Sequence, residues 1–263
     1  MIFVRSAREA KRASPPRGLF ASISLGSISA VALLLGVAAI GSAASAAPAA
    51  TGQDISGVWW ATTYSPQIQL VGGGDLPYNA AGKAAYDKNI AALKSGELTD
   101  SARRFCVPDG IPRLLASPYP FEIIHTPGQT TIIHELNHAI RVVTMDKPLP
   151  KDEELIPYPY YDGHSAGHWE GDTLVLETAG FNDKTFLDAT AAPHSDAMKT
   201  VERIRKTGAN QLEDVVTVHD PDMFTRDFSA RFVYSLRNDI RLQDYVCGEK
   251  HRDISSVRGV QGR

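Results

Sequence analysis

The stretch Phe121-Glu122-Ile123-Ile124-His125-Thr126-Pro127-Gly128-Gln129-Thr130-Thr131-Ile132-Ile133-His134-Glu135-Leu136-Asn137-His138-Ala139-Ile140-Arg141-Val142-Val143-Thr144-Met145 decides the fold. It admits two readings. His134-Glu135-Leu136-Asn137-His138 satisfies H-E-x-x-H, a spacing that on a helix puts two imidazoles on one zinc ion with the glutamate as general base. Ile132, Ile133, Leu136, Ile140 and Val143 can line one face of that helix. Against it, Thr130 to Ile133 and Ile140 to Thr144 make this one of the most β-branched stretches of the chain, a composition suited to pleated strands. On a strand the two histidines cannot share a metal in this way, and Asn137-His138 falls where a hairpin turn belongs. No x-x-G-x-x-H continuation follows. The reading carried forward is a strand over 130–136, a hairpin, and a strand over 139–145. A zinc hydrolase through His134, Glu135 and His138 is kept as an alternative function.

Outward from this hairpin, short apolar runs recur at intervals of about ten residues, the pattern of a meander. Strands are expected at 121–126, 166–170, 173–178, 199–207, 212–219, 229–236 and 240–247. Glu170-Gly171-Asp172, Gly208-Ala209-Asn210 and Arg237-Asn238-Asp239 mark three of the turns. Upstream, Ile55-Ser56-Gly57-Val58-Trp59-Trp60 opens the domain with the G-x-W pattern of first strands in lipocalin-like barrels. One helix is expected over 80–93, capped by Asn79 and stopped by Gly96, to pack on or plug the barrel. Segments 147–161 and 183–196 read as long loops. The fold class is mostly β: a lipocalin-like antiparallel barrel, or a strongly curved meander, with one early helix and a pocket at its mouth.

The amino terminus reads as a secretory signal. Arg5, Arg8, Lys11, Arg12 and Arg17 precede an apolar run over 23–40 and then Ala44-Ser45-Ala46, the charged, apolar and A-x-A regions in order. The alternative is an uncleaved anchor. The expected organisation is a signal peptide over 1–46, a spacer over 47–54, one domain over 55–250 and a tail over 251–263, in a periplasmic or secreted protein with no membrane attachment after cleavage. The whole chain carries a formal charge of −3, and loss of the basic leader makes the mature part more acidic, which argues against nucleic acid as a partner. Cys106 and Cys247 are the two cysteines; in an exported chain an even pair is most simply a disulfide, with a catalytic thiol as the competing reading.

Charged residues among apolar neighbours on a barrel strand face either solvent or the interior. Glu135, Arg141, Glu202 and Arg203 are of this kind, and together they suggest an internal ionic cluster. His164-Ser165 and His194-Ser195 stand at loop-to-strand junctions, where an imidazole can serve as general acid or base. Arg113, Tyr119 and Glu135 are their candidate electrostatic partners. No G-x-S-x-G elbow supports Ser165 or Ser195 as a nucleophile. Trp169 anchors a predicted hairpin, and Phe181 adds to the aromatic surface available to a pocket.

Several blocks resemble a family of exported bacterial proteins found in proteobacteria and acidobacteria. They are Ile55 to Trp59, Cys106-Val107-Pro108-Asp109-Gly110-Ile111-Pro112-Arg113, Pro118 to Ile123, Gly163-His164-Ser165-Ala166-Gly167-His168-Trp169-Glu170-Gly171-Asp172-Thr173-Leu174-Val175, Gly180-Phe181, Pro193-His194-Ser195, Glu202-Arg203 and Asp244-Tyr245-Val246-Cys247. The resemblance implies a lipocalin-like fold, paired Cys106 and Cys247, and a hairpin at His134. It extends to sphingomonad lyases that release formaldehyde from lignin-derived phenylcoumaran dimers. On that footing the expected activity is a lyase or isomerase without cofactor or metal, acting on an aromatic small molecule. His164 or His194 would be the base, Arg141 and Arg113 the charge stabilisers, and Glu135 the group orienting the base. Arg113, Tyr119, Trp169, Glu202 and Phe181 would bind substrate. The alternative is a non-catalytic binder of hydrophobic ligands.

Overall fold

A computed structural model describes residues 53–98, 106–155 and 160–247. The expected signal peptide, most of the spacer and the whole of the expected tail lie outside the described residues. Nine strands close into a barrel in sequence order: β1 (Gly57–Ala61), β2 (Phe121–Thr126), β3 (Gln129–His134), β4 (Ile140–Met145), β5 (His164–Glu170), β6 (Thr173–Ala179), β7 (Lys199–Gly208), β8 (Gln211–His219) and β9 (Phe228–Leu236). β1 pairs with β2 on one side and β9 on the other, closing the cylinder. This is the lipocalin-like barrel expected, with two differences. The β4–β5 pair is parallel rather than antiparallel, over Val143↔Ser165, Thr144↔Ala166 and Met145↔Gly167, because the excursion between the two strands carries the chain back to the end of the barrel at which β4 began. Residues 240–247, expected as a strand, carry no ladder; β1 already occupies the pairing edge of β9, so this segment crosses a barrel mouth instead.

The period-two pattern places residues as the sequence demands. On β4 the burial alternates strictly, with Arg141, Val143 and Met145 inward and Ile140, Val142 and Thr144 outward. On β8 the inward row is Leu212, Asp214, Val216 and Val218. Side chains fill the interior in two apolar clusters, one around Trp59, Ile123, Leu174, Leu176 and Tyr234, the other around Ile111, Leu114, Phe181, Val218 and Phe228.

The early helix, α1 (Ala80–Ser95), forms where expected. Asn79 caps it by accepting the Gly82 amide at 2.9 Å, and Gly96 ends it in the left-handed region at φ 78°. It packs outside the strands: Tyr78 stacks between Tyr86 and Phe224. Gly82 lies so close to the Met223 carbonyl that a side chain there would collide with it. Among the described residues no helix is long and apolar enough to cross a membrane.

Candidate functional site: a buried ionic cluster and a groove at the barrel mouth

Among the described residues, two places in the barrel bring polar and charged side chains together. The first is inside. Arg141 on β4 and Glu202 on β7 are separated by β5 and β6, so their contact spans the lumen. The guanidinium is bidentate on the carboxylate, at 2.6 Å from Nη2 to Oε1 and 3.0 Å from Nη1 to Oε2, with side chains only 2% and 0% exposed. Nη2 also donates to Ser165 Oγ at 3.3 Å and Thr178 Oγ1 at 3.4 Å, and those hydroxyls bond each other at 2.9 Å. Burial and the adjoining Glu202 carboxylate push the carboxyl of Asp214, next along, well above the usual carboxylate range. His134 lies above Arg141 and against Phe121, and burial together with the Arg141 charge pushes its imidazole down to about 3. His134, Arg141, Glu202 and Asp214 line a cavity of about 10 Å³, the size of one water. The ionic cluster is thus packed among the apolar side chains of the lumen, and this cavity has no room for a small-molecule ligand.

This geometry disposes of the helical zinc motif. His134 ends β3 and points inward, the chain then turns through a 3-10 segment over Leu136–His138, and Asn137 and His138 take left-handed φ of 56° and 50°. The His138 imidazole instead accepts the Tyr245 amide at 3.0 Å. The two imidazoles thus face different surroundings, and no helix sets them one turn apart.

The neutrality of His134 has a pH signature. The unfolded chain protonates this histidine below about 6.5, whereas the folded state refuses the proton down to about 3. As pH falls through that window the unfolded state binds the extra proton, so stability declines by up to about 1.4 kcal/mol per pH unit. Asp214 contributes with the opposite sign, because its folded form retains a proton that the unfolded form loses. Comparison with His134→Gln isolates the histidine: between pH 7 and pH 4.5 the wild type's stability advantage over the variant should shrink by roughly 2–3 kcal/mol. Urea midpoints for both proteins at the two pH values measure it. A constant gap would mean that the buried imidazole takes up its proton in the folded state.

The second place is a groove of about 450 Å³ at one barrel mouth. Tyr64, Pro66, Pro118, Tyr119, Leu136 and Tyr245 give it aromatic and apolar walls, and Tyr119 meets Tyr245 edge to face at 5.1 Å. Its charged feature is Asp109 beside Arg113, with Nε to Oδ1 at 3.0 Å and both side chains under 10% exposed. Asn137 donates to the other carboxylate oxygen at 3.2 Å. The pair is set by the segment from Cys106: Gly110 turns at φ 78° and leads into the 3-10 turn Arg113–Ala116, and a side chain at Gly110 would meet Thr185. Asp188 also borders the groove, but its oxygens already accept from the Ile68, Thr190 and Ala192 amides and the Thr190 hydroxyl. The Cys106–Cys247 disulfide closes the groove's outer edge.

Four of the residues singled out from sequence fall in these places. Arg113 and Tyr119 line the groove; Arg141 and Glu202 form the interior pair. Arg203 lies outside on Glu170 at 2.7 Å. Glu135 does not orient a histidine: its carboxylate accepts the Gln243 amide at 2.8 Å. His194 is buried behind the groove. Its Nδ1 donates to the Ser195 carbonyl at 2.9 Å, so Nε2 is the acceptor for the Thr185 hydroxyl at 2.7 Å, and burial lowers its affinity for a proton. Ser195 gives its hydroxyl to Asp220 at 2.7 Å rather than to an imidazole. His164 opens β5 with its ring edge-on to Tyr160 at 4.4 Å. Phe181 is core, packed between His194 and Gly163, and Trp169 stands against His125. Neither Phe181, Trp169 nor either of the two histidines lines the groove.

Sequence reasoning missed Asp214, Asp109 and Asp162. The alternation Leu212-x-Asp214-x-Val216-x-Val218 does place Asp214 inward. Asp162 carries no such signal; burial pushes its carboxyl up, against the opposing effect of Arg141. No protein-family model matches the chain, and a search of curated proteins finds none similar to it.

Proposed function

We propose that this is a periplasmic or secreted lyase or isomerase that holds an aromatic small molecule in the mouth groove and acts on it with its own acid and base groups. The observation that carries the reading is the juxtaposition of the three-tyrosine wall with the buried Asp109–Arg113 pair in one groove. Its volume suits a ligand of two aromatic rings. A disulfide and the lack of a membrane-spanning helix among the described residues fit the oxidising compartment.

The resemblance to phenylcoumaran lyases supplies the reaction. A primary hydroxyl loses its proton, the adjoining carbon–carbon bond breaks and formaldehyde leaves. The electron pair becomes the central double bond as the ring ether opens, and the phenoxide takes up the proton. Atoms balance: dimer gives stilbene and formaldehyde. Asp109, oriented by Arg113 and Asn137, is the base that this groove offers in place of the histidines, and Arg113 faces the developing phenoxide, where a guanidinium has its largest effect.

Incubation of the purified protein with a phenylcoumaran dimer should give stilbene absorbance and an equal amount of formaldehyde, and Arg113→Met should lower kcat about 10²–10³-fold. The second reading, a binder without turnover, is favoured by the absence of histidine from the groove lining. It predicts saturable binding of the dimer with no formaldehyde from wild type. Neither binding nor turnover would refute both.

A further inference from the structure

We propose that Glu135 and His138, the two residues of the H-E-x-x-H stretch that do not enter the barrel, are positioning residues that hold the segment 243–247 in place as a wall of the groove. This deepens the reading of the groove as the ligand site and rests on it.

The geometry is a pair of side-chain acceptors on alternate backbone amides. Glu135 Oε2 accepts from Gln243 N at 2.8 Å and His138 Nε2 accepts from Tyr245 N at 3.0 Å. In an extended segment, amides two residues apart point the same way, so this is the hydrogen-bond row that another strand would make, with a carboxylate and an imidazole standing in for backbone carbonyls. The left-handed turn at Asn137 and His138 aims both side chains at it. What they fix is functional surface: the Tyr245 ring lies on Tyr119, and both line the groove. Two residues further on, Cys247 ties the segment to Cys106. The segment is thus fastened at its end by a covalent bond and along its length by two side-chain acceptors.

Only a neutral imidazole with its proton on Nδ1 can accept at Nε2; the imidazolium has no lone pair to offer. Glutamine at position 138 keeps a side-chain acceptor, whereas alanine removes it.

The test measures amide hydrogen exchange at Gln243 and Tyr245, together with binding of 8-anilinonaphthalene-1-sulfonate, in wild type, His138→Ala and His138→Gln at the same neutral pH. Tyr119→Ala identifies the fraction of dye bound in the groove. We expect His138→Ala to lower protection of the Tyr245 amide and to weaken groove binding about threefold to tenfold, the worth of one hydrogen bond. His138→Gln, which keeps an acceptor, should restore both. Unchanged protection in His138→Ala overturns the fastening. Lost protection with unchanged dye affinity overturns its role in positioning the groove. If no dye binds the groove of wild type, the groove reading itself fails, while the exchange data still decide whether Glu135 and His138 hold the segment.

Discussion

Glu202→Ala should destabilise the protein by about 3–5 kcal/mol, because it strands the Arg141 guanidinium inside the barrel. Arg141 cannot shed its charge by losing a proton, and with Glu202 gone its remaining partners are two neutral hydroxyls, Ser165 and Thr178. Asp214 offers partial relief: without the neighbouring carboxylate it can ionise and move toward the guanidinium, which places the expected loss toward the lower end of the range at neutral pH. The double variant Arg141→Met, Glu202→Leu removes both charges and should recover most of the stability, as buried pairs replaced by apolar side chains commonly do. Urea denaturation of wild type, both single variants and the double variant forms a closed cycle. Single-variant losses under 1 kcal/mol would show that water reaches Arg141 and that the lumen is open. If turnover proceeds in the stable double variant, the pair serves the fold and the chemistry belongs to the groove.

The second large effect concerns the bridge. Replacing Cys106 and Cys247 with serine opens a loop spanning 141 residues of sequence separation, for which chain entropy predicts a loss of about 4–5 kcal/mol; native bridges removed from small domains typically cost about 2–5. Calorimetry of the oxidised and reduced wild type, beside the double serine variant, measures it without relying on the substitution alone. Function should fall more steeply than stability at temperatures where the barrel stays folded, since Cys247 and Tyr245 both border the groove. Equal ligand affinity in the folded serine variant would mean that the segment keeps its place without the bridge.

The barrel was legible because its strands obey period two. The β-branched density of 130–144 outweighed the H-E-x-x-H spacing, and the hairpin at Asn137-His138 forms as that argument required. The parallel β4–β5 pair was not legible, since strand direction depends on which end of the barrel a long excursion returns to and composition does not encode that. Residues 240–247 are apolar and β-branched enough to read as a strand, yet a closed barrel has no free edge to receive one. Of the four polar residues read as an interior cluster, Arg141 and Glu202 enter and Glu135 and Arg203 do not. Arg203 follows Glu202 on one strand and so must face out, whereas Glu135 lies one residue beyond β3, where alternation no longer applies. The groove was harder still: its walls come from segments near 64, 113, 137, 188 and 245, brought together only by closure of the barrel.

That β1 is flanked by β2 and β9 makes closure of the barrel wait for its last strand. One edge of β1 stays unsatisfied until residues 228–236 reach it. A chain cut short before β9 is an open, curved sheet with two exposed edges, prone to pair with its neighbours.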